Sequence, residues 1–350
     1  MNSPKELTLH FHSVSPLFIA DAGAGEAHLD SNGNIRFGKS VGSAQPVSRI
    51  ERKPVLIAKE IANDEDDSVW YFPYVKANNI VGRLRRFAQD VVNEVVLDKG
   101  EQISGATYRG MSCGATSGTP TGVVPSLSEH RQARQHFYLG LFGGGSGMFA
   151  SGMSMSDLNV KHRALVGAGV LPAGLGGVID VPVSKLTYPI SLIRRDRMLE
   201  LSDFNIERVV QGGSETLDEW RELVAQARLD KNAEVTEGKK KREALQNLVA
   251  YEAALAGLGY YGKIVMNPQT TDAQLGLLLE ALTRFAKSNA MGGKTAKGFG
   301  RFNLIVKEGD EVLLRSQDGE IMESAGEKYQ EALLDELDKL DIQQLESFFA

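Results

Sequence analysis

SNAMGGKTAKGFGRFNL, residues 288–304, joins two segments of opposite periodicity. Upstream, TTDAQLGLLLEALTRFAKSN (270–289) places Leu275, Leu278, Leu279, Leu282 and Phe285 at helical spacing, and Thr271 with Gln274 has the form of a capping box. Downstream, RFNLIVK (301–307) alternates as a strand does. The stretch is therefore a loop that leaves a helix C-terminus and enters a strand. It contains Gly293-Lys294-Thr295, but a Walker phosphate loop needs a glycine five positions before its Gly-Lys pair, and Ser288 stands there. That motif also runs from a strand into a helix N-terminus, the reverse of the order here. Nucleotide hydrolysis is set aside. Four glycines with Lys294, Lys297 and Arg301 suit a different polyanion, because glycine lets the backbone approach a sugar-phosphate chain closely and cations hold it. Gly292, Gly293, Lys294, Thr295, Lys297 and Arg301 are the candidate contacts.

Outward from the loop, ELTLHFHSV (6–14) turns Leu7, Leu9 and Phe11 to one side, as a strand, and His10 and His12 to the other. In VWYFPYVKANNIVGRLRRFAQDVVNEVV (69–96), Ile80, Leu84, Phe87, Val91 and Val95 form one helix face, with Asn78 or Asn79 as its N-cap. Residues 98–128 read as loop, a helical run follows from about Ser128 to Leu141, and GMSMSDLNV (152–160) is a short strand. YYGKIVM (260–266) is another. Between them, VPVSKLTYPISLIRRDRM (181–198) looks like an extended hairpin, and SETLDEWRELVAQARL (214–229) with KKKREALQNLVAYEAALAGL (239–258) looks like a helical pair.

Core segments at about 5–15, 70–97, 152–160 and 259–307 remain when insertions at about 18–69, 98–150 and 161–258 are set aside. The last insertion divides into a hairpin at about 181–212 and a helical part at about 214–258. The expected fold is α+β: one domain over 1–350 with a modified ferredoxin-like (RRM-like) β-α-β-β-α-β core, a topology also used by RNA-recognition domains. Residues 326–349 read as an acidic amphipathic helix with Tyr329, Leu333, Leu337, Leu340 and Phe348 on one side, packed on the body or on a neighbouring subunit. The glycine runs at 140–147 and 167–177 lack the register of a dinucleotide fingerprint.

At 350 residues with 42% hydrophobic and 24% charged content, the composition is that of a soluble protein. MNSPKELTLH has no signal-peptide apolar run, no stretch approaches a membrane span, and Cys113 is the single cysteine, so the expected location is the cytoplasm. Net charge is −6, yet residues 308–350 hold 13 acidic and 3 basic residues, leaving 36 basic against 32 acidic before them. Basic residues bunch in RIERK (49–53, with Arg49 and Arg52), RLRR (83–86, with Arg83 and Arg86), RRDR (194–197) and KKKR (239–242). Local clustering governs phosphate attraction once salt screens charges beyond about 10 Å. A solvated helix face is the plain reading of any one cluster.

PYVKANNIVGRLR (73–85), FYLGLFG (137–143) followed by SGMSMSDLNV (151–160), and the opening loop with Gly292, Gly293, Lys297, Gly298 and Gly300 resemble, in that order, one family. It is the RAMP superfamily of CRISPR-associated proteins, specifically the repeated backbone subunit that polymerises along a guide RNA. SVSPLFIADAGAG (13–25) and Lys76-Ala77-Asn78-Asn79 look most like the type IV effector backbone protein. Asn78-Asn79 stand where the family has Ser-Ser, Lys76 where it has Pro, Ala296 where it has Ser, and Lys297 where it has Arg, which forfeits a bidentate phosphate fork.

The resemblance implies sequence-independent binding of the guide crRNA by Lys76, Asn78, Asn79, Arg83, Arg86 and the glycine loop. It implies a thumb around Tyr188–Met198 whose Arg194, Arg195 and Arg197 clamp the strand. Copies would join head to tail in a helical filament, beside a large subunit, a tail subunit, a guide-processing nuclease and a DinG-type helicase. The target nucleic acid is expected to be DNA rather than RNA. No cofactor, metal or membrane partner is called for. The expected chain is not an enzyme. A type III-like cleavage centre would place an acid in FIADAGAGEAHLDSNGNIRFG (18–38), where Asp30 is the candidate with Asp21, Glu26 and His28 nearby. LDSNGNIRF (29–37) reads equally as a hairpin turning at Asn32-Gly33. A guide-processing RNase built on His10 and His12 is the other catalytic alternative.

Overall fold

Alternation in β1 (Glu6–Ser13) builds the core. Leu7, Leu9 and Phe11 are buried on one side, and Phe11 meets Phe285 and Phe302 at ring-centroid distances of 6.0 and 5.2 Å. The computed structural model describes residues 5–20, 27–29, 35–37, 47–63, 66–114, 125–195, 215, 218, 219, 222 and 246–349. Further strands among them are β2 (Ala27–Leu29), β3 (Ile35–Phe37), β4 (Val47–Ser48), β5 (Arg52–Ile57), β6 (Ser68–Val75), β7 (Met153–Met155) and β8 (Leu158–Val160). They are followed by β9 (Thr187–Arg195), β10 (Gln246–Ala254), β11 (Gly259–Met266), β12 (Phe302–Glu308), β13 (Glu311–Gln317) and β14 (Glu320–Ser324).

The main sheet runs β14-β13-β12-β1-β11-β8-β6-β5, with β7 also on β11. Its inner pairs β12–β1, β1–β11 and β11–β8 are all antiparallel. It follows that β12 runs parallel to β11 across β1, and β8 parallel to β1 across β11. One helix, Ala77–Asp98, lies in sequence between β1 and β8, and another, Asp272–Ser288, between β11 and β12. This mixed α+β arrangement is compatible with a ferredoxin-like fold. The two helices pack on one another through Phe87 and Phe285, and Phe285 in turn covers Phe11. The Thr271–Gln274 capping box forms as expected.

The chain divides into two compact units: Met1–Gly25, Ser48–Tyr188 and Glu252–Ala350 in one, Glu26–Val47 and Pro189–Tyr251 in the other. In the second unit, β2 and β3 pair antiparallel, as the hairpin reading of 29–37 anticipated.

Several local expectations are corrected. The N-cap of Ala77–Asp98 is Lys76, with no side-chain cap; Asn78 and Asn79 lie within the first turn. The Ala77 N–H instead donates to Asp157 Oδ1 at 3.0 Å, so a carboxylate distant in sequence replaces a local cap. VWYFPYV belongs to β6, which pairs with β5 as far as Pro73 and with β8 at Tyr74 and Val75. The supposed loop 98–128 contains a helix, Gly105–Cys113, capped by Ser104. The run from 128 to 141 is two helices, Leu127–Gln135 and Leu139–Phe142, broken at His136, where the backbone turns extended. QNLVAYEAA, expected within a helix, is strand β10: Ala250, Tyr251, Glu252, Ala253 and Ala254 are all buried, and burial on both faces overrides the helical propensity of its alanines.

The acidic tail is two helices, Glu327–Asp338 and Ile342–Ser347. Its apolar side is spent within this chain: Tyr329, Leu333 and Leu337 are buried, and Gly276 of the helix Asp272–Ser288 lies so near that a Cβ there would stand 2.1 Å from the Tyr329 carbonyl oxygen.

His136 Nδ1 accepts the N–H groups of Tyr138 and Leu139 at 3.2 and 3.4 Å, and burial pushes its pKa down to about 4. The folded chain refuses the proton that the unfolded chain takes below pH 6.5, so this contribution is whole above pH 6.5 and is lost as pH falls towards 4. Denaturant melts should show a loss of about 3 kcal/mol by pH 4 from this group, and His136→Asn should flatten that segment of the pH profile.

Candidate nucleic-acid interface

The glycine loop is held at its base and presented at its tip. The helix Asp272–Ser288 ends at Asn289, in the left-handed region, and the Asn289 Oδ1 accepts the Phe302 N–H at 2.8 Å as β12 begins. Met291 N–H donates to the Gly300 carbonyl at 2.9 Å and closes the neck. Gly300 has φ 75°, and a Cβ there would lie 1.8 Å from the Met291 carbonyl oxygen, so only glycine passes.

The segment after β1 forms the floor. Gly293 N–H donates to Phe18 O at 2.8 Å, Gly300 N–H to Pro16 O at 2.8 Å, and Arg301 N–H to Ser15 Oγ at 2.8 Å. Lys294, Thr295, Lys297 and Gly298 are exposed above it, and Lys294 Nζ stands 6.0 Å from the Phe18 ring. Gly292, also at positive φ, abuts the Phe18 carbonyl. Arg301 makes a half-exposed pair with Asp318 at 3.3 Å, which is worth well under about 1 kcal/mol and yields readily to a stronger anion.

Arg83 connects the loop to the helix Ala77–Asp98. Its guanidinium donates to the Ala290 carbonyl and lies 5.7 Å from the Phe285 ring centroid. Burial, and then Arg86, pulls its pKa below the usual arginine value. Arg86 is exposed and donates to Gly82 O of its own helix, at 3.1 Å; Asn78 and Asn79 are exposed about two turns earlier. The two segments singled out by sequence, 76–86 and 288–301, are thus joined through Arg83.

The remaining candidates are differently placed. Lys76 Nζ pairs with Glu51 at 2.6 Å. Arg52 is committed to the interior: it donates to the nearly inaccessible Glu252, which also accepts from Thr187 Oγ1 at 2.6 Å. Arg49 is half-buried before β5. Arg194 and Arg195 fall at the end of β9, whereas Arg197, Asp30, Asp21 and Glu26 lie outside the described residues. Of the residues now seen at the site, Phe18 and Pro16 lie in SVSPLFIADAGAG, which the sequence singled out as a segment without assigning either residue a role. Asp157, 80 residues from Ala77, was assigned none.

His10 is half-buried, with Lys161 Nζ 3.1 Å from its Nδ1; His12, two residues on, is exposed. No helix among the described residues is long and apolar enough to cross a membrane.

No family model matches the chain, and no curated protein matches it. Among solved structures, a chain of the "Type IV-B CRISPR Complex" is similar to it, at 13% identity and a TM-score of 0.49, over 87% of this chain and 92% of that one.

Gly300→Ala should cost about 2 kcal/mol or more in urea unfolding, since a left-handed φ and the contact with the Met291 carbonyl both resist a methyl group. Glu252→Ala should cost about 3 kcal/mol in the same measurement, because the largely buried Arg52 loses its counter-charge.

Proposed function

We propose that this chain is the backbone subunit of a type IV-like CRISPR ribonucleoprotein, holding a guide crRNA by its sugar-phosphate chain without reading its sequence. The observation that carries the reading is the glycine loop: a pinned neck, an exposed tip bearing Lys294 and Lys297, Arg301 at its exit, and Arg83 linking it to the helix that bears Asn78, Asn79 and Arg86. A few cations presented on a loop shaped by glycine grip phosphate and leave the base edges untouched, as a scaffold for base pairing requires. The three-segment resemblance to RAMP backbone subunits supports the same reading.

On this reading, copies join head to tail along the guide by a heterologous contact, and guide length sets their number. The guide's bases pair with target nucleic acid, DNA in preference to RNA. The other partners are a large subunit, a tail subunit, a guide-processing nuclease and a DinG-type helicase. The subunit is a scaffold rather than a nuclease, so Asp30→Ala should leave the fate of complementary labelled RNA with Mg²⁺ unchanged.

Binding of a labelled mixed-sequence single-stranded RNA tests the central claim. Replacing Lys294, Lys297 and Arg301 with Gln together should weaken binding for all sequences alike and reduce the slope of log K against log salt by about 2, at about 0.7 per lost phosphate contact. Unchanged affinity in the triple variant, or a wild-type chain with no RNA affinity after nuclease treatment, would remove the proposal.

A further inference from the structure

The side of the sheet away from Phe285 carries a largely polar track. Strand alternation sends Leu7, Leu9 and Phe11 to the core and Thr8, His10 and His12 to the opposite face. The pairing register then fixes what stands beside them. On β12, Asn303 is opposite His12, Ile305 opposite His10 and Lys307 opposite Thr8. On β11, Gly259 is opposite His12, Tyr261 opposite His10 and Lys263 opposite Thr8. Beyond β11, Asn159 is opposite Tyr261, and Lys161 hydrogen-bonds Gly259 through its N–H at 2.8 Å. Arg301, two residues before Asn303, has the same facing, so the track begins where the glycine loop ends.

The absence of a side chain at Gly259 matters here. A Cβ at that position would lie 3.1 Å from Lys161 Cδ, so the lysine stem occupies the space and brings Nζ to His10 Nδ1 at 3.1 Å. Lys161 finds an imidazole there, not a carboxylate. Among the described residues, neither Lys161 nor Lys307 has an acidic group within the 4.0 Å of an ion pair. Burial and then Lys161 and Lys307 push His10 down to about 4, while burial and then Lys307 draw Lys161 below its usual value. His10 is therefore neutral at physiological pH, and with Nδ1 facing the ammonium its Nε2–H is a further donor. Two cations and a donor, half desolvated and without an anion of their own, form a site whose electrostatics only an incoming anion completes.

We infer that the phosphodiester chain of a single-stranded nucleic acid runs from the glycine loop past Arg301, Asn303 and His12 onto a phosphate site made by Lys161, His10 and Lys307. The inference rests on the RNA-binding reading and extends the path to a second, sheet-borne segment. From Arg301 to Lys307 the track is roughly 20 Å long at about 3.3 Å per strand residue. Its composition suits a phosphate chain better than a protein surface: cations are spaced among hydrogen-bonding groups, the acid on β1's outer face, Glu6, lies beyond Thr8 and is paired with Lys263 at 2.7 Å, Ile305 is the sole aliphatic along β12's outer face, and Tyr261 is largely buried.

The test uses the full chain and a fluorescein-labelled mixed-sequence single-stranded RNA, with anisotropy read across a salt series. K161Q/K307Q should bind about tenfold more weakly near 0.15 M salt, with the log–log salt slope reduced by about 1.4, while K161R/K307R restores both. Thermal melting of the variants at wild-type temperature ties the loss to contact rather than folding. If the glycine-loop triple variant weakens binding and K161Q/K307Q changes neither affinity nor slope, the path across the sheet is wrong while the scaffold reading stands. If K161Q/K307Q instead abolishes self-association in sedimentation with RNA affinity intact, the face docks the acidic surface of a second copy and the inference is overturned. A wild-type chain that binds no RNA overturns both.

Discussion

Burial of one side of β1 against Phe285 and Phe302 is the contact on which the rest depends. β1 is the centre of the sheet: it pairs with β11 on one edge and β12 on the other, so its register sets theirs. A slip of one residue would send Leu7, Leu9 and Phe11 outward and turn His10 and His12 into the core. Phe285 and Phe302 themselves stack tilted at 4.8 Å, and they lie at either end of the glycine loop. The core contact therefore fixes how far apart the loop's two ends stand, and the loop's shape follows from it.

That coupling explains why the candidate interface is stiff where it is anchored. Backbone N–H groups of Gly293, Gly300 and Arg301 tie the loop to residues 15–18, and Met291 N–H to the Gly300 carbonyl ties it to itself. Arg83 adds a further tie from the helix. The cost of ordering the loop is met during folding, so a ligand arriving at Lys294, Lys297 and Arg301 has less entropy to lose. Arg52 shows the opposite use of the same residue type. Largely buried with Glu252 and Thr187, it ties β5 to the end of β10 and the start of β9 and is withdrawn from any ligand.

Much of this was legible in the residues. Period-two runs at 6–14 and 301–307 and the period-3.6 run at 272–288 marked β1, β12 and the helix between β11 and β12, and the four glycines marked the loop. Legibility failed where structure is made by distant partners. Ala77 is capped by Asp157 and not by its neighbours. QNLVAYEAA has helical composition yet is a strand, and its residues 250–254 are enclosed on both faces. Arg49, Arg52, Arg83 and Arg86 look alike in sequence, and only their surroundings separate an interior ion-pair member from a loop tether and an exposed cation.

The sequence by itself determined the periodic elements, the positions where positive φ demands glycine, and the segregation of acidic charge into the tail, because each is a property of a residue and its near neighbours. Tertiary structure alone decided which cations face outward, which are neutralised, and that Lys161, His10 and Lys307 share one face. Those outcomes depend on strand register and burial, which arise only when segments more than 100 residues apart are brought into contact.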